Sequence, residues 1–304
     1  YALHRRSGAA YAIGRTMFET DGLCPLWVER CNAMDEIWVP TDFNARTFRA
    51  AGVTTRITVV PDGVDAQRYR PGLEPLELPE VQGKVVLGIF QWSAYKGWDA
   101  LLRAWYAAFA GSSEATLVLR TYVQGVEQQA SRRRIEKDIE DFARRELGVR
   151  TRELGRIVLL TDTIAEADLP RLYAAADALV APSRGEGWGL PQIEALASGL
   201  PVLATAWGGT TQFLHDGNSV QIEVDRLVPT GQSALWYVGQ NWAEPSVPSL
   251  TAALRKVVDA PEELAALAAV GRREIEKKWT WAHSLAVADE RLSQIADEPR
   301  SGGR

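Results

Sequence analysis

Residues 178–205 read ALVAPSRGEGWGLPQIEALASGLPVLAT, and the fold class turns on this stretch. A short apolar run, Ala178–Ala181, leads into a loop with glycines at 185, 187 and 189. Pro191 suits the first position of a helix and Gly199 its C-cap, so the spacing predicts a short helix over Pro191–Ser198. A second apolar run, Pro201–Thr205, follows at once. Strand, loop, helix, strand with short connections is the β-α-β unit of a parallel sheet.

The same alternation extends upstream. Glu36–Pro40, Arg56–Val60, Val85–Phe90, Ala115–Tyr122 and Arg156–Leu160 read as strands. Asp42–Ala51, Trp98–Ala110, Glu127–Leu147 and Leu169–Ala176 read as helices between them. Pro61-Asp62-Gly63 is a turn signal, and Pro71, Pro75 and Pro79 mark an extended linker, the best domain boundary in the chain. Expected units are therefore 1–75, 76–285 and a C-terminal helix end and tail at 286–304. In such α/β sheets ligands bind beyond the carboxyl ends of the strands, which singles out the loops after Phe90, Leu160, Ala181 and Thr205.

Composition narrows the partners. The chain has 304 residues, 46% hydrophobic and 24% charged, as a globular protein should. Lys plus Arg number 34 against 39 Asp plus Glu, a net charge of −5 that argues against nucleic acid. The charged run SRRRIEKDIEDFARRE (131–146) mixes both signs at i,i+4 spacing, as a solvated helix face does, and nothing indicates peripheral membrane contact. Only Cys24 and Cys31 are present. Two helical turns apart they are too distant for a bridge, so a reducing, cytoplasmic setting is expected. No cluster has metal-ligand spacing, and no G-x-G-x-x-G follows a strand.

The glycine loop before 191 lets the backbone approach a ligand closely, and the free N–H groups of the helix behind it suit a diphosphate. Glu194, on the first turn, can accept two hydrogen bonds from a vicinal diol such as ribose. Glu186 reaches another part of the same ligand from the loop. Singly, each acid reads as a solvated carboxylate or a complement to the helix dipole; together with three glycines and the proline they read as a binding site. Lys96 follows the strand 85–90, precedes a helix, and is turned into the cleft by Gly97.

EGWGLPQIEALASGLPVLAT (186–205) resembles the E-x7-E segment of retaining GT-B glycosyltransferases of glycosyltransferase family 4. VVPDGVD (59–65), YKGWDALLRAW (95–105), LPRLYAAADALVAPS (169–183), AWGGTTQFL (206–214) and KKWTWAHS (277–284) resemble further segments of that family in the same order. The resemblance implies a Rossmann-like nucleotide-binding domain at 76–285 and a partial Rossmann-like N-terminal domain at 1–75, missing its start. It implies transfer of a sugar from a nucleotide-diphospho-sugar to a glycan, lipid or small-molecule acceptor, without metal or cofactor. Glu194 would hold the ribose, Glu186 the donor sugar, Lys96 the diphosphate, and the amides of Gly187, Trp188, Gly189 and Leu190 would line sugar and diphosphate. The C-terminal helix would pack back on the N-terminal part.

Three departures from the family pattern stand out. Gln91 occupies the place of an Arg, leaving Arg184 or an N-terminal Arg to supply the missing charge. Gln212 replaces an acid in the glycine-rich loop. Glu19, with Thr16 and Thr20 nearby, occupies the place of the catalytic His and is expected to face the cleft; His4 is a weaker candidate. Trp27, Trp38 and Phe43 of the short N-terminal part are expected to be exposed. Alternative readings are a related GT-B sugar-nucleotide enzyme or a non-catalytic nucleotide-sugar-binding protein.

Overall fold

The computed structural model describes residues 9–231 and 235–297. Its first unit runs β1 (Ile13–Arg15), α1 (Pro25–Asn32), β2 (Glu36–Val39), α2 (Asp42–Ala50) and β3 (Arg56–Val59). The three strands form a parallel sheet in the order β1-β2-β3. Thr41 caps α2, its hydroxyl accepting from the Asn44 amide at 3.0 Å. Ile37, Val39, Phe48 and Ile57 form this unit's core.

The larger unit follows as β4 (Lys84–Gln91), α3 (Trp98–Phe109), β5 (Ala115–Tyr122), α4 (Gln128–Phe142), β6 (Arg156–Leu160), α5 (Leu169–Ala174), β7 (Ala178–Ala181), α6 (Leu190–Ala197), β8 (Val202–Thr205) and β9 (Val220–Ile222). All six strands are parallel, in the order β6-β5-β4-β7-β8-β9. Both faces are covered, which is why the strands read as nearly unbroken apolar runs. On one face Val86, Leu117 and Leu119 pack with Leu101, Trp105 and Ile135. On the other, Leu87, Val118 and Leu179 pack with Ile193, Leu196 and Phe213. The winding reverses between β4 and β7, opening a crevice above their carboxyl ends.

The chain then forms β10 (Val224–Pro229) and β11 (Asn241–Pro245), an antiparallel pair, and three helices, α7 (Val247–Asp259), α8 (Pro261–Lys278) and α9 (Trp281–Asp297). Helix α9 returns to the first unit. There Arg291 donates to the fully buried Glu36 of β2, from Nη2 at 2.7 Å and from Nε at 3.0 Å to each oxygen. The proline-rich segment after β3 is not idle linker, because Val64 and Tyr69 are buried in the larger unit's second cluster. Helix α4 ends five residues earlier than its charge pattern suggests, its last turn widening to a π-turn over Ala143–Leu147.

Trp38 is not exposed. It is 8% accessible, with its indole N–H donating to Glu36 at 3.0 Å. Trp27 is half-buried against Phe18, and Phe43 meets Trp207 edge-on at 4.9 Å. Cys24 precedes α1 rather than lying inside it, and both cysteines are free thiols. No described helix is long and apolar enough to cross a membrane.

Candidate active site

The loops after β4 and β7 meet at the crevice because Gly97 permits it. It sits at φ +69°, and a Cβ there would collide with the Pro182 carbonyl oxygen. The meeting brings Lys96 to Glu186, with Nζ 2.8 Å from both carboxylate oxygens. Ser183 also donates to Glu186 at 2.8 Å. Only 14% of the Lys96 side chain and 13% of the Glu186 side chain is accessible, so the pair lies in a partly dried site where charge interactions are strong. Burial pulls the Lys96 ammonium toward its neutral form. Glu186, Tyr95 and Glu19 outweigh that and hold its pKa above the ordinary lysine value.

Glu19 comes to the same place from the first unit. A Cβ at Gly185 would strike the Glu19 carbonyl oxygen, so glycine there lets the loop after β1 lie against the loop after β7. Burial, and then the nearby Glu186 charge, raise the Glu19 pKa above its ordinary value; Lys96 and a hydrogen bond from Tyr237 at 3.3 Å oppose this. The carboxyl lines a cleft of about 840 Å³ with Thr16, Met17, Phe18, Trp27, Trp236 and Tyr237 among its walls. Trp236 and Tyr237, just before β11, form one wall of this cleft. The Asn241 side chain and amide donate to Asp21 at 2.9 and 2.7 Å, and Thr20 donates to Gln240. His4 lies outside the described residues.

Glu194 faces α5. The hydroxyl of the buried Tyr173 donates to it at 2.6 Å, and Tyr69 bonds it as well. Burial raises the pKa of this carboxyl against those two hydroxyls and the Arg68 charge. Gly187 packs under Met17, and Gly189 immediately precedes α6. Leu190 opens the helix with its side chain 51% exposed. Trp188 departs from expectation in its side chain. The whole residue is 2% accessible and its ring packs on Phe213 and Trp279, so the ring belongs to the core and not to the crevice.

Arg184 is no replacement for a missing phosphate-binding charge. Its guanidinium takes Asp99 in a bidentate pair at 2.8 Å and Glu244 at 2.7 and 2.8 Å, and donates to the Ala94 carbonyl. The residue is a brace that ties α3 and β11 to the site loop. Among N-terminal arginines, Arg15 is paired with Asp62. Gln212 turns from the crevice to α2, accepting from the Asp42 amide at 2.8 Å. Tyr69, Tyr173 and Tyr237 escape a sequence reading because each reaches the site from a distant element. Among the described residues no three His, Cys, Asp or Glu side chains group as metal ligands.

The chain is similar to known proteins across this site. The model of the family described as "Glycosyl transferases group 1" matches residues 83–237, half of the chain. D-inositol 3-phosphate glycosyltransferase of Rhodococcus erythropolis is 32% identical over 240 residues, which cover 76% of this chain and 46% of that protein. Mannosylfructose-phosphate synthase of Agrobacterium fabrum is 31% identical over 168 residues, 53% of this chain and 35% of that one. The chain thus spans less than half the length of these two relatives. Among solved structures, sucrose-phosphate synthase from Thermosynechococcus elongatus superposes with a TM-score of 0.67 at 19% identity, covering 89% of this chain and 61% of that one. Anabaena HepE in complex with UDP and glucose gives 0.64 at 18%, covering 88% and 65%. These likenesses carry the GT-B arrangement of Rossmann-like units. With a crevice built at the winding reversal and a family match running through it from β4 to the segment beyond β10, the chain belongs to the group 1 glycosyl transferases.

Proposed function

We propose that this chain transfers a sugar from a nucleotide-diphospho-sugar to an acceptor with retention of the anomeric configuration, in the manner of glycosyltransferase family 4. The observation that carries the proposal is the Lys96–Glu186 pair at the reversal point, with the N-terminus of α6 beside it. Before a donor arrives, the two charges satisfy each other. A diphosphate at the start of α6 would draw Lys96 toward itself and release Glu186 to accept a hydrogen bond from a sugar hydroxyl. The amides from Gly187 to Leu190 would follow the sugar and diphosphate, and Glu194 would take the ribose diol.

The acceptor oxygen attacks the anomeric carbon from the face the diphosphate leaves. The anomeric C–O bond breaks, its electron pair goes to the diphosphate, and that departing oxygen takes the acceptor proton. Lys96 and the helix end stabilise the growing negative charge. Glu19 holds the acceptor side of the site in the cleft. No metal is required by this scheme, the acceptor is a glycan, lipid or small molecule, and the setting is the cytoplasm. Binding of a nucleotide sugar without transfer is the second reading, favoured by Gln91 and by the mutual neutralisation of Lys96 and Glu186.

A thermal-shift panel of UDP-, GDP- and ADP-hexoses, with donor consumption followed in parallel, tests the proposal. One nucleotide sugar should stabilise the chain selectively, by about 2.7 kcal/mol at a hundred times its Kd. Lys96→Met should abolish most of the gain for the diphosphate but little for the free nucleoside. Absence of any nucleotide-dependent shift would sink the proposal, and binding without consumption would favour the second reading.

A further inference from the structure

Strand β5 carries an arginine that the site as described does not use. Arg120 is half-buried, its Nε is sealed from solvent without a hydrogen-bond partner, and its side chain makes no hydrogen bond or ion pair among the described residues. The titratable groups acting on it are Tyr122, the last residue of β5, and Asp162, in the loop after β6. Its guanidinium therefore lies toward the carboxyl end of the sheet. Asp162 is itself engaged by the Gln128 amide. On the neighbouring strand's exit, the hydroxyl of Thr161, a residue 6% accessible, is also buried without a partner. Burying a cation without a hydrogen-bonded counter-charge is costly, and a ligand that pairs with it offsets the cost.

The course of a bound nucleotide leads to these two groups. Lys96 and Glu186 mark the gap between β4 and β7. Glu194 leans toward Tyr173 of α5, and the adjacent Arg68 pairs with Glu166 in the segment after β6. A ribose at Glu194 thus points toward the β5–β6 side. Neighbouring strands lie about 4.8 Å apart, so the next group along the nucleotide falls over the ends of β5 and β6.

We propose that Arg120 reads the base of the donor by donating to a ring carbonyl oxygen, so that the donor carries guanine or uracil and not adenine. This rests on the nucleotide-sugar reading above. Arginine only donates, and it pairs in bidentate fashion with adjacent acceptors such as O6 and N7 of guanine; adenine presents an amino group in place of the carbonyl.

Calorimetric titration of the full chain with GDP, UDP, ADP and inorganic pyrophosphate tests this. The native chain should bind GDP or UDP at least tenfold more tightly than ADP. Arg120→Met should erase that preference by weakening the oxo-base nucleotide tenfold or more, leaving ADP and pyrophosphate unchanged, and Arg120→Lys should restore only part of it. Arg120→Met should melt no lower than the native chain, since it removes an unpaired charge; should it melt lower, Arg120→Gln serves in its place. An unchanged order of affinities in the variant, or a native preference for ADP, overturns the proposal. Equal weakening of pyrophosphate overturns it too and moves Arg120 to the diphosphate. If the native chain binds none of the four, the nucleotide-sugar reading fails first, and the base assignment with it.

Discussion

Glu194 meets two opposing demands. Under the proposed function it presents a carboxylate to a diol, yet burial raises its pKa against the hydroxyls of Tyr173 and Tyr69. The folded chain therefore binds the proton more tightly than the unfolded chain, whose glutamates titrate near 4.5. Between that value and the raised folded pKa, stability falls as pH rises. Glu194→Gln keeps an acceptor for Tyr173 and removes the charge. It should melt above the native chain at pH 8, with the gap closing as pH falls toward 4.5, while its nucleotide affinity drops by about 1–3 kcal/mol. Thermal melts across pH, paired with calorimetry, check both halves. A variant that binds nucleotide as well as the native chain would remove Glu194 from the site.

At the scale of elements, Arg184 decides how the site loop sits. It joins the loop after β7 to α3 through Asp99 and to β11 through Glu244. Strand β11 in turn holds the Glu19 loop through Asn241 and Asp21. One guanidinium thereby links the Glu186 loop to the strand that holds the Glu19 loop. Arg184→Ala should cost about 3 kcal/mol, the low end for a broken buried pair, because Asp99 and Glu244 keep some contact with water. Donor turnover should fall further than donor affinity does, since α6 and Lys96 keep their places. Denaturant melts together with kcat and KM measure this, and equal loss in both kinetic parameters would count against the brace.

Across the whole molecule, the two units are pinned by Glu36 and Arg291. Glu36 is fully buried, and burial alone would raise its pKa. The hydrogen bonds from Arg291, Thr58, Tyr11 and Trp38 overcome this and hold it at about 2. A carboxylate depressed in the folded state contributes stability that is complete above the unfolded value of 4.5 and is lost as pH falls toward 2. Arg291→Met leaves the buried carboxylate with only the exposed Arg56 at 4.0 Å as a cation and should cost about 3 kcal/mol at pH 7, the low end for a broken buried pair. The deficit should shrink in the double variant Glu36→Gln with Arg291→Met, which strands no charge. Urea titrations of the single and double variants, at pH 7 and pH 3, report it as a coupling energy; additive losses would dissolve the pin.

What could be read along the chain follows from local physics. Short runs rich in β-branched and apolar residues fix β5, β6 and β7 to the residue, and the glycine loop with Pro191 places α6 to within one residue. Lys96, Glu186 and Glu194 stand out because their neighbours in sequence, glycines and a helix start, already describe a crevice. Other features depend on residues far apart in sequence. The strands after β8 are short and polar enough to escape any period, so β10, β11 and Tyr237 emerge only once the segment folds over the Glu19 loop. Trp188 and Arg184 belong to the same loop as Glu186, but which of the three turns to the core, to a brace or to the crevice is decided by Phe213, Trp279, Asp99 and Glu244. A strand or helix start is encoded by its immediate neighbours, whereas a side chain's partner is chosen by whatever the finished packing sets beside it.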